Sequence, residues 1–348
     1  MIYLILYMLI FLFSFSSTIS GKLSKRAVLF SRLFFIALFI LASIRDETGT
    51  DFKTYTNIWY GINSLNAGYD SIGYGHLEPG FRILVSILKF VSTDSIFFFF
   101  TMSFLTLLIL YLGLIKVPDL NIHIAMLVFF SIFYIPYVFN GMRQALAMSI
   151  FVYSLPFIMN RSFLKVLVLT ILSSSFHISG IIIMISYVIY YYKPDLVLFS
   201  IVGTFLSLIL YNLKIAPPFL NYLSDGKFEL YKNIWGDSSY IQVLLRSLLT
   251  IFILAISYVI KKNYFNKLVM IYLVGYFFYI ATQDAYMIAA RVNMFFRVLE
   301  VVLFAVAMNH IRQLNIRLLI FAFVVLITSY TLYLNMQIEE NIYKTVFQ

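Results

Sequence analysis

There is no cysteine in the 348 residues. Disulfide frameworks, thiolate nucleophiles and thiolate metal sites are therefore excluded. Charge is scarce too: Asp, Glu, Lys and Arg make up 11% of the chain against 62% hydrophobic residues, with a mean hydropathy of +0.93. A soluble protein of this length needs far more polar surface, so composition leaves an all-α polytopic membrane protein. The sequence has no Walker A loop, dinucleotide glycine fingerprint or Gly-x-Ser-x-Gly elbow, so soluble nucleotide donors are not implied. It has no Asp-x-Asp or His-x-x-x-His cluster, so neither a metal nor another cofactor is expected. In a soluble chain the net charge of +10 would suggest nucleic acid. Here no basic stripe with stacking aromatics stands outside the apolar runs, and the cations instead set membrane orientation. The apolar start, Met1–Phe15, lacks a basic leader region and a small-x-small cleavage site, and is expected to remain as a first span.

What the chain has is apolar runs. Their lengths predict about twelve spans, near 2–19, 27–44, 95–115, 122–139, 141–159, 163–176, 178–192, 195–213, 241–260, 268–283, 286–308 and 317–335. The run near 81–91 is short and interrupted by Arg82 and Lys89, so 78–93 is expected as a half-inserted or re-entrant helix. No internal repeat is evident. The expectation is one transmembrane domain, 1–348, with polar loops at about 45–79 and 214–240. The turns at Lys22/Lys25/Arg26, Arg161/Lys165, Lys193, Lys261/Lys262/Lys267 and Arg312/Arg317 all face the cytoplasm if 78–93 does not cross, and both termini then face outward. Tyr190, Tyr191 and Tyr192 with Lys193 read as an interfacial belt, Asp284 as a loop carboxylate, and Arg297 with Glu300 as a self-neutralising pair.

The same topology gathers Arg45, Asp51, Glu78, Arg143, His177, Arg246 and Arg291 toward the outer face. An arginine at hydrocarbon depth costs about 2.5–3.5 kcal/mol, so one that is retained has a partner or a task. Arginine offers planar, bidentate, permanent cationic donation to phosphate oxygens, which points to an anion held at the outer leaflet.

Four pieces then share the pattern of a known family: Arg45-x-x-x-Gly49-x-Asp51 with Tyr55 following, Glu78-Pro79-Gly80-Phe81, Asn140-Gly141-Met142-Arg143-Gln144, and His177-x-Ser179 after a basic-tipped hairpin. Arg291-x-Asn293-x-Phe295-Phe296 fits less specifically. Over about 40–300 the chain resembles the EpsG-type branch of the Wzy-like bacterial polysaccharide polymerases. That resemblance implies a GT-C-like membrane glycosyltransferase of the bacterial cytoplasmic membrane, with its active site facing the exterior. It implies undecaprenyl-diphosphate-linked oligosaccharides as donor and acceptor, working without metal, and a chain-length regulator as a further candidate partner.

On this basis Arg143, Arg291, Arg45 and Arg246 are candidates for the leaving diphosphate. His177, Glu78 and Asp51 are candidates for the base, and Asn140 and Gln144 for contacts to sugar or phosphate. Each has a plainer alternative. Arg143 could serve a cap or an ion pair, Arg45 could pair with Asp46, Glu47 or Asp51, and Arg246 could snorkel to headgroups. His177 could donate to phosphate or only bridge helices, and Glu78 could cap a helix or pair with Arg82. A flippase for lipid-linked oligosaccharide and an O-antigen ligase-like transferase are the competing functions. A flippase needs charge along a path through the bilayer and often shows related halves.

Overall fold

The computed structural model describes residues 1–21, 25–64, 73–192, 195–214 and 238–347. Lys22, Lys193 and nearly all of the expected loop at 214–240 lie outside them. Fifteen α-helices are described: α1 Ile2–Ser20, α2 Lys25–Ser43, α3 Phe52–Gly61, α4 Pro79–Leu88, α5 Ser95–Leu114, α6 Ile122–Val128, α7 Met142–Met159, α8 Phe163–Phe176, α9 Ile182–Tyr191, α10 Leu196–Asn212, α11 Tyr240–Ile260, α12 Asn263–Ala281, α13 Tyr286–Arg297, α14 Leu299–His310 and α15 Leu314–Met336. Extended pairing among the described residues is limited to an isolated antiparallel bridge between Arg45 and Thr345.

Eight of the apolar helical stretches are long enough to cross a membrane: Ile2–Ser20, Ser95–Leu114, Ile122–Asn140, Met142–Met159, Tyr240–Ile260, Asn263–Ala281, Ile288–His310 and Leu314–Met336. The other four expected spans form shorter apolar helices, at Val28–Ser43, Phe163–Phe176, Ile178–Tyr191 and Leu196–Asn212. The segment expected to be half-inserted folds as α4. Its 10 residues extend about 15 Å, roughly half of a hydrocarbon core. The polar stretch before it is not bare loop, because it contains α3 with Trp59 fully buried. Asp284, expected as an ordinary loop carboxylate, is buried between α12 and α13.

The chain divides into two compact units, Met1–Ile183 with Phe304–Gln348, and Met184–Leu303. In the first, the Ile122–Asn140 stretch is the central column, 94% buried over its apolar window, whereas α15 is 28% buried. That column changes winding midway. After α6 it runs as a π-helix over Phe129–Asn140. Pro136 withdraws one donor from the ladder, and the wider turn lets Gly141 N–H reach Pro136 O at 3.0 Å, five residues back. The chain then reverses through Gly141 alone, because α7 starts at Met142.

A reversal that tight leaves the last carbonyls of the column without intrahelical donors. Arg45 supplies them. Its Nη1 donates to Val138 O at 2.9 Å, and its Nη2 donates to Phe139 O at 3.1 Å and to Met142 Sδ at 3.3 Å. The guanidinium lies over the Phe139 and Phe99 rings at 4.5 and 5.0 Å. Burial lowers its pKa to about 10, with Tyr134 and other phenols opposing the fall, so it stays cationic at neutral pH. The segment around Arg45 is held in turn by the chain's last residues. Asp46 N–H donates to Lys344 O, Gly49 N–H to Glu340 O, and Val346 N–H to Ile44 O. Gly49 has φ +106°, and a Cβ there would overlap Asn140 Oδ1.

Contacts define the two ends of this unit. One end holds Tyr3, bonded to Asn341 O, together with the Arg45 segment, the start of α7 and the end of α8. The other holds Arg317, bonded to Ile19 O, and His310, facing Asp119 at 3.5 Å. In the second unit α12 is central, packed by α10, α11 and α13. A capping box of Ser239 and Gln242 starts α11.

Arg45→Met is expected to lower stability by about 1–3 kcal/mol, because it strands two buried carbonyls. Thermal unfolding in detergent checks this, and an unchanged midpoint would remove the capping role.

Candidate active site

The site is built where α3, α4, α7 and α8 meet in the first unit. Glu78 precedes α4, with Pro79 at the first helical position, so its backbone is extended (φ −61°, ψ 141°) and its side chain projects from the helix start. Gly80 makes its placement possible: a Cβ there would overlap Ser175 Oγ, so only glycine lets α4 approach the end of α8 this closely. From that position the Glu78 carboxylate pairs with Arg143 Nη1 through Oε2. Its Oε1 accepts from Ile178 N–H at 3.3 Å. One carboxylate thus joins Arg143 to the turn that carries His177. The pair is half-buried, with side chains 25% and 19% exposed.

Arg143 is the second residue of α7, where N–H groups and the helix dipole already favour negative charge. Its own N–H donates to the Tyr55 hydroxyl at 3.4 Å, which ties α3 to the start of α7. Burial raises the Tyr55 pKa, against the opposing pull of Arg143, so the phenol is neutral and keeps its proton to donate. The Arg143 guanidinium lies 5.7 Å from the Phe81 ring centre. Its Nε is buried and has no hydrogen-bond partner. The fork is therefore only partly used by Glu78.

His177 ends α8 in extended backbone and caps the following turn. Its Nδ1 accepts from Ser179 N–H at 3.2 Å. In the neutral ring that bond leaves the proton on Nε2, which makes Nε2 a donor. Asp51 precedes α3, one turn before Tyr55, and its side chain makes no capping bond. Asn140 ends the π-helix with a buried Oδ1 that has no hydrogen-bond partner, while Gln144 is buried in the first turn of α7.

Arg143, Glu78 and the His177 turn are thus brought together, with Tyr55 bonded to the Arg143 amide. Arg45 lies at the same end, but the whole residue is only 1% exposed and its guanidinium is committed to the column's carbonyls. In this arrangement it positions the turn that Arg143 begins and presents no donor edge to a ligand. Arg246 and Arg291 belong to the second unit. There Arg246 faces Glu300 at 3.5 Å, and Arg297 holds the same carboxylate at 2.7 and 3.2 Å, which makes an Arg–Glu–Arg group around a fully buried carboxylate. Arg291 is exposed on α13. Among the described residues no group of three or more His, Asp or Glu side chains could hold a metal ion.

Three features were not foreseen: the Tyr55 link, the Ile178 N–H on Glu78, and the C-terminal residues that hold the Arg45 segment. For Tyr55 the sequence held a clue, its place just after Asp51. The other two depend on backbone groups, which leave no compositional trace.

No curated protein and no solved structure matches the chain. A family model described as the EpsG family matches residues 28–346, nearly the whole chain and all of the groups at the site. The chain therefore belongs to the EpsG family of Wzy-like polysaccharide polymerases.

Proposed function

We propose that the cluster around Arg143 transfers a growing glycan from undecaprenyl diphosphate to a sugar hydroxyl of another lipid-linked repeat unit, at the outer face of the cytoplasmic membrane. The observation that carries this is the Glu78 carboxylate shared between Arg143 and Ile178 N–H beside His177. This shared carboxylate supports a reading in which Glu78 is the base, Arg143 the guanidinium on the leaving group and His177 an imidazole donor.

The diphosphate docks on the exposed part of the Arg143 guanidinium, helped by the start of α7. His177 Nε2–H donates to a phosphate oxygen. Glu78 takes the proton of the acceptor hydroxyl as that oxygen bonds to the anomeric carbon. The bond from that carbon to the diphosphate oxygen breaks, and its electron pair leaves on the diphosphate, where Arg143 stabilises the developing charge. A single displacement of this kind inverts the anomeric centre. Asn140, partly exposed at the end of the column, contacts a sugar hydroxyl. Charge stabilisation rests on guanidinium and N–H groups, so no metal is required.

Reconstitution with one purified lipid-linked repeat unit, in EDTA, tests the proposal. A ladder of products is expected; unextended substrate from a folded protein would reject it. The donor role of His177 has its own test. His177→Gln keeps an N–H near the Nε2 position and is expected to retain most activity, whereas His177→Ala loses about tenfold or more. If both variants fall equally and the acid limb of the pH–rate profile disappears, His177 is the base instead.

A further inference from the structure

Away from this site, α2 and α5 run antiparallel and leave a groove between them. Phe35 meets Tyr111 with ring centres 5.0 Å apart, and Phe39 meets Phe100 and Phe104 at 4.9 and 5.6 Å. The groove encloses about 270 Å³, is lined by Phe35, Phe39, Phe104, Leu108 and Tyr111, and ends at Arg32. Leu108 and neighbouring Ile36 are 39% and 51% exposed, so it opens sideways, toward where lipid would lie.

Arg32 is the anomaly. It is exposed on an apolar helix, and among the described residues no hydrogen bond or ion pair holds its guanidinium. Arg45, Arg143, Arg246 and Arg297 all have partners within the protein. Left alone at that depth, Arg32 would cost a few kcal/mol. A phosphate on its planar fork removes most of that cost, and an acyl chain laid along the aromatic groove removes apolar surface from solvent at no conformational cost to the protein.

We propose that this groove is a binding site for one anionic membrane phospholipid, with its headgroup phosphate on Arg32 and one chain between α2 and α5. The site is separate from the reaction: Arg32 is 11 residues before Ser43 at the end of α2, about 16 Å along the helix axis. The polyprenyl substrate carries its own diphosphate toward Arg143, at the other end of the unit, so the occupant is a phospholipid of the opposite leaflet.

The test uses the full chain, delipidated in neutral detergent and titrated with phosphatidylglycerol or phosphatidylcholine of matched chains. Retained lipid is counted by native mass spectrometry. We expect phosphatidylglycerol to be held about tenfold more tightly. Arg32→Gln should erase that preference, and Leu108→Trp, which fills the groove and leaves Arg32 in place, should weaken phosphatidylglycerol retention. Equal retention of the two lipids by the natural protein overturns the proposal, as does a preference that survives Arg32→Gln. Unchanged retention in Leu108→Trp shows headgroup attraction without a groove and overturns it as well. Displacement of bound phosphatidylglycerol by stoichiometric polyprenyl phosphate assigns the groove to the substrate chain and is equally fatal.

Discussion

Arg143→Ala is expected to abolish detectable chain extension while the protein still inserts and folds. Removing one preorganised donor from a developing anion typically costs about 10²–10³ in rate, and on the proposed reading the same group also anchors the diphosphate beside the start of α7. The folding cost is smaller. Glu78 loses its counter-charge but keeps Ile178 N–H, and at 19% side-chain exposure it can recruit water. Arg143→Lys separates charge from geometry. Lysine restores the positive charge as a point on a flexible stem, without a fork that can hold Glu78 and phosphate together. A loss nearly as large as that of Arg143→Ala is therefore expected. Product length on gels and the thermal midpoint in detergent are the two readouts. Natural chain lengths from an expressed Arg143→Ala protein would remove Arg143 from the reaction. A collapse of the midpoint by many degrees would show that the Arg143–Glu78 pair is chiefly structural.

The sequence made Arg143 conspicuous because it is a charge wedged between two apolar runs, and the physical cost of such a charge is independent of fold. Glu78 was legible for a related reason, since Glu-Pro fixes an extended residue immediately before a helix. Arg45, which ends an apolar run and opens the polar stretch, was grouped with Arg143 by topology and took a different task. What separates them is the π-helical winding of Phe129–Asn140 and the one-residue reversal at Gly141, which create carbonyls in need of a donor. Neither feature follows from hydropathy. Apolar run length likewise overstated the regularity of the helices. It read 286–308 as one span, and Ile288–His310 is one stretch long enough to cross, but the stretch has a break at Val298 between α13 and α14, where Glu300 is clamped between Arg297 and Arg246. The clasp of residues 340–346 on the Arg45 segment was invisible for another reason. It is made mainly by backbone hydrogen bonds, whose N–H and C=O groups are present whatever the side chains are.

Glu78→Gln decides between chemistry and architecture at the same point. The amide is the same size as the carboxylate and still offers Oε1 to Ile178 N–H, so the turn carrying His177 stays in place. It no longer holds Arg143 by charge, which frees that side of the guanidinium for the donor. If Glu78 is the base, kcat is expected to fall by about 10²–10⁴ while the donor KM stays level or drops. A carboxylate that merely anchored Arg143 would give the reverse pattern: a modest change in kcat, with the donor KM altered through a displaced guanidinium. Glu78→Asp completes the comparison, because it keeps the charge and withdraws it by one methylene, and partial activity is expected from a base that still reaches through water. Natural kcat in Glu78→Gln would transfer the proton to Asp51, which sits one turn from Tyr55 at the start of α3 and is the carboxylate to substitute next.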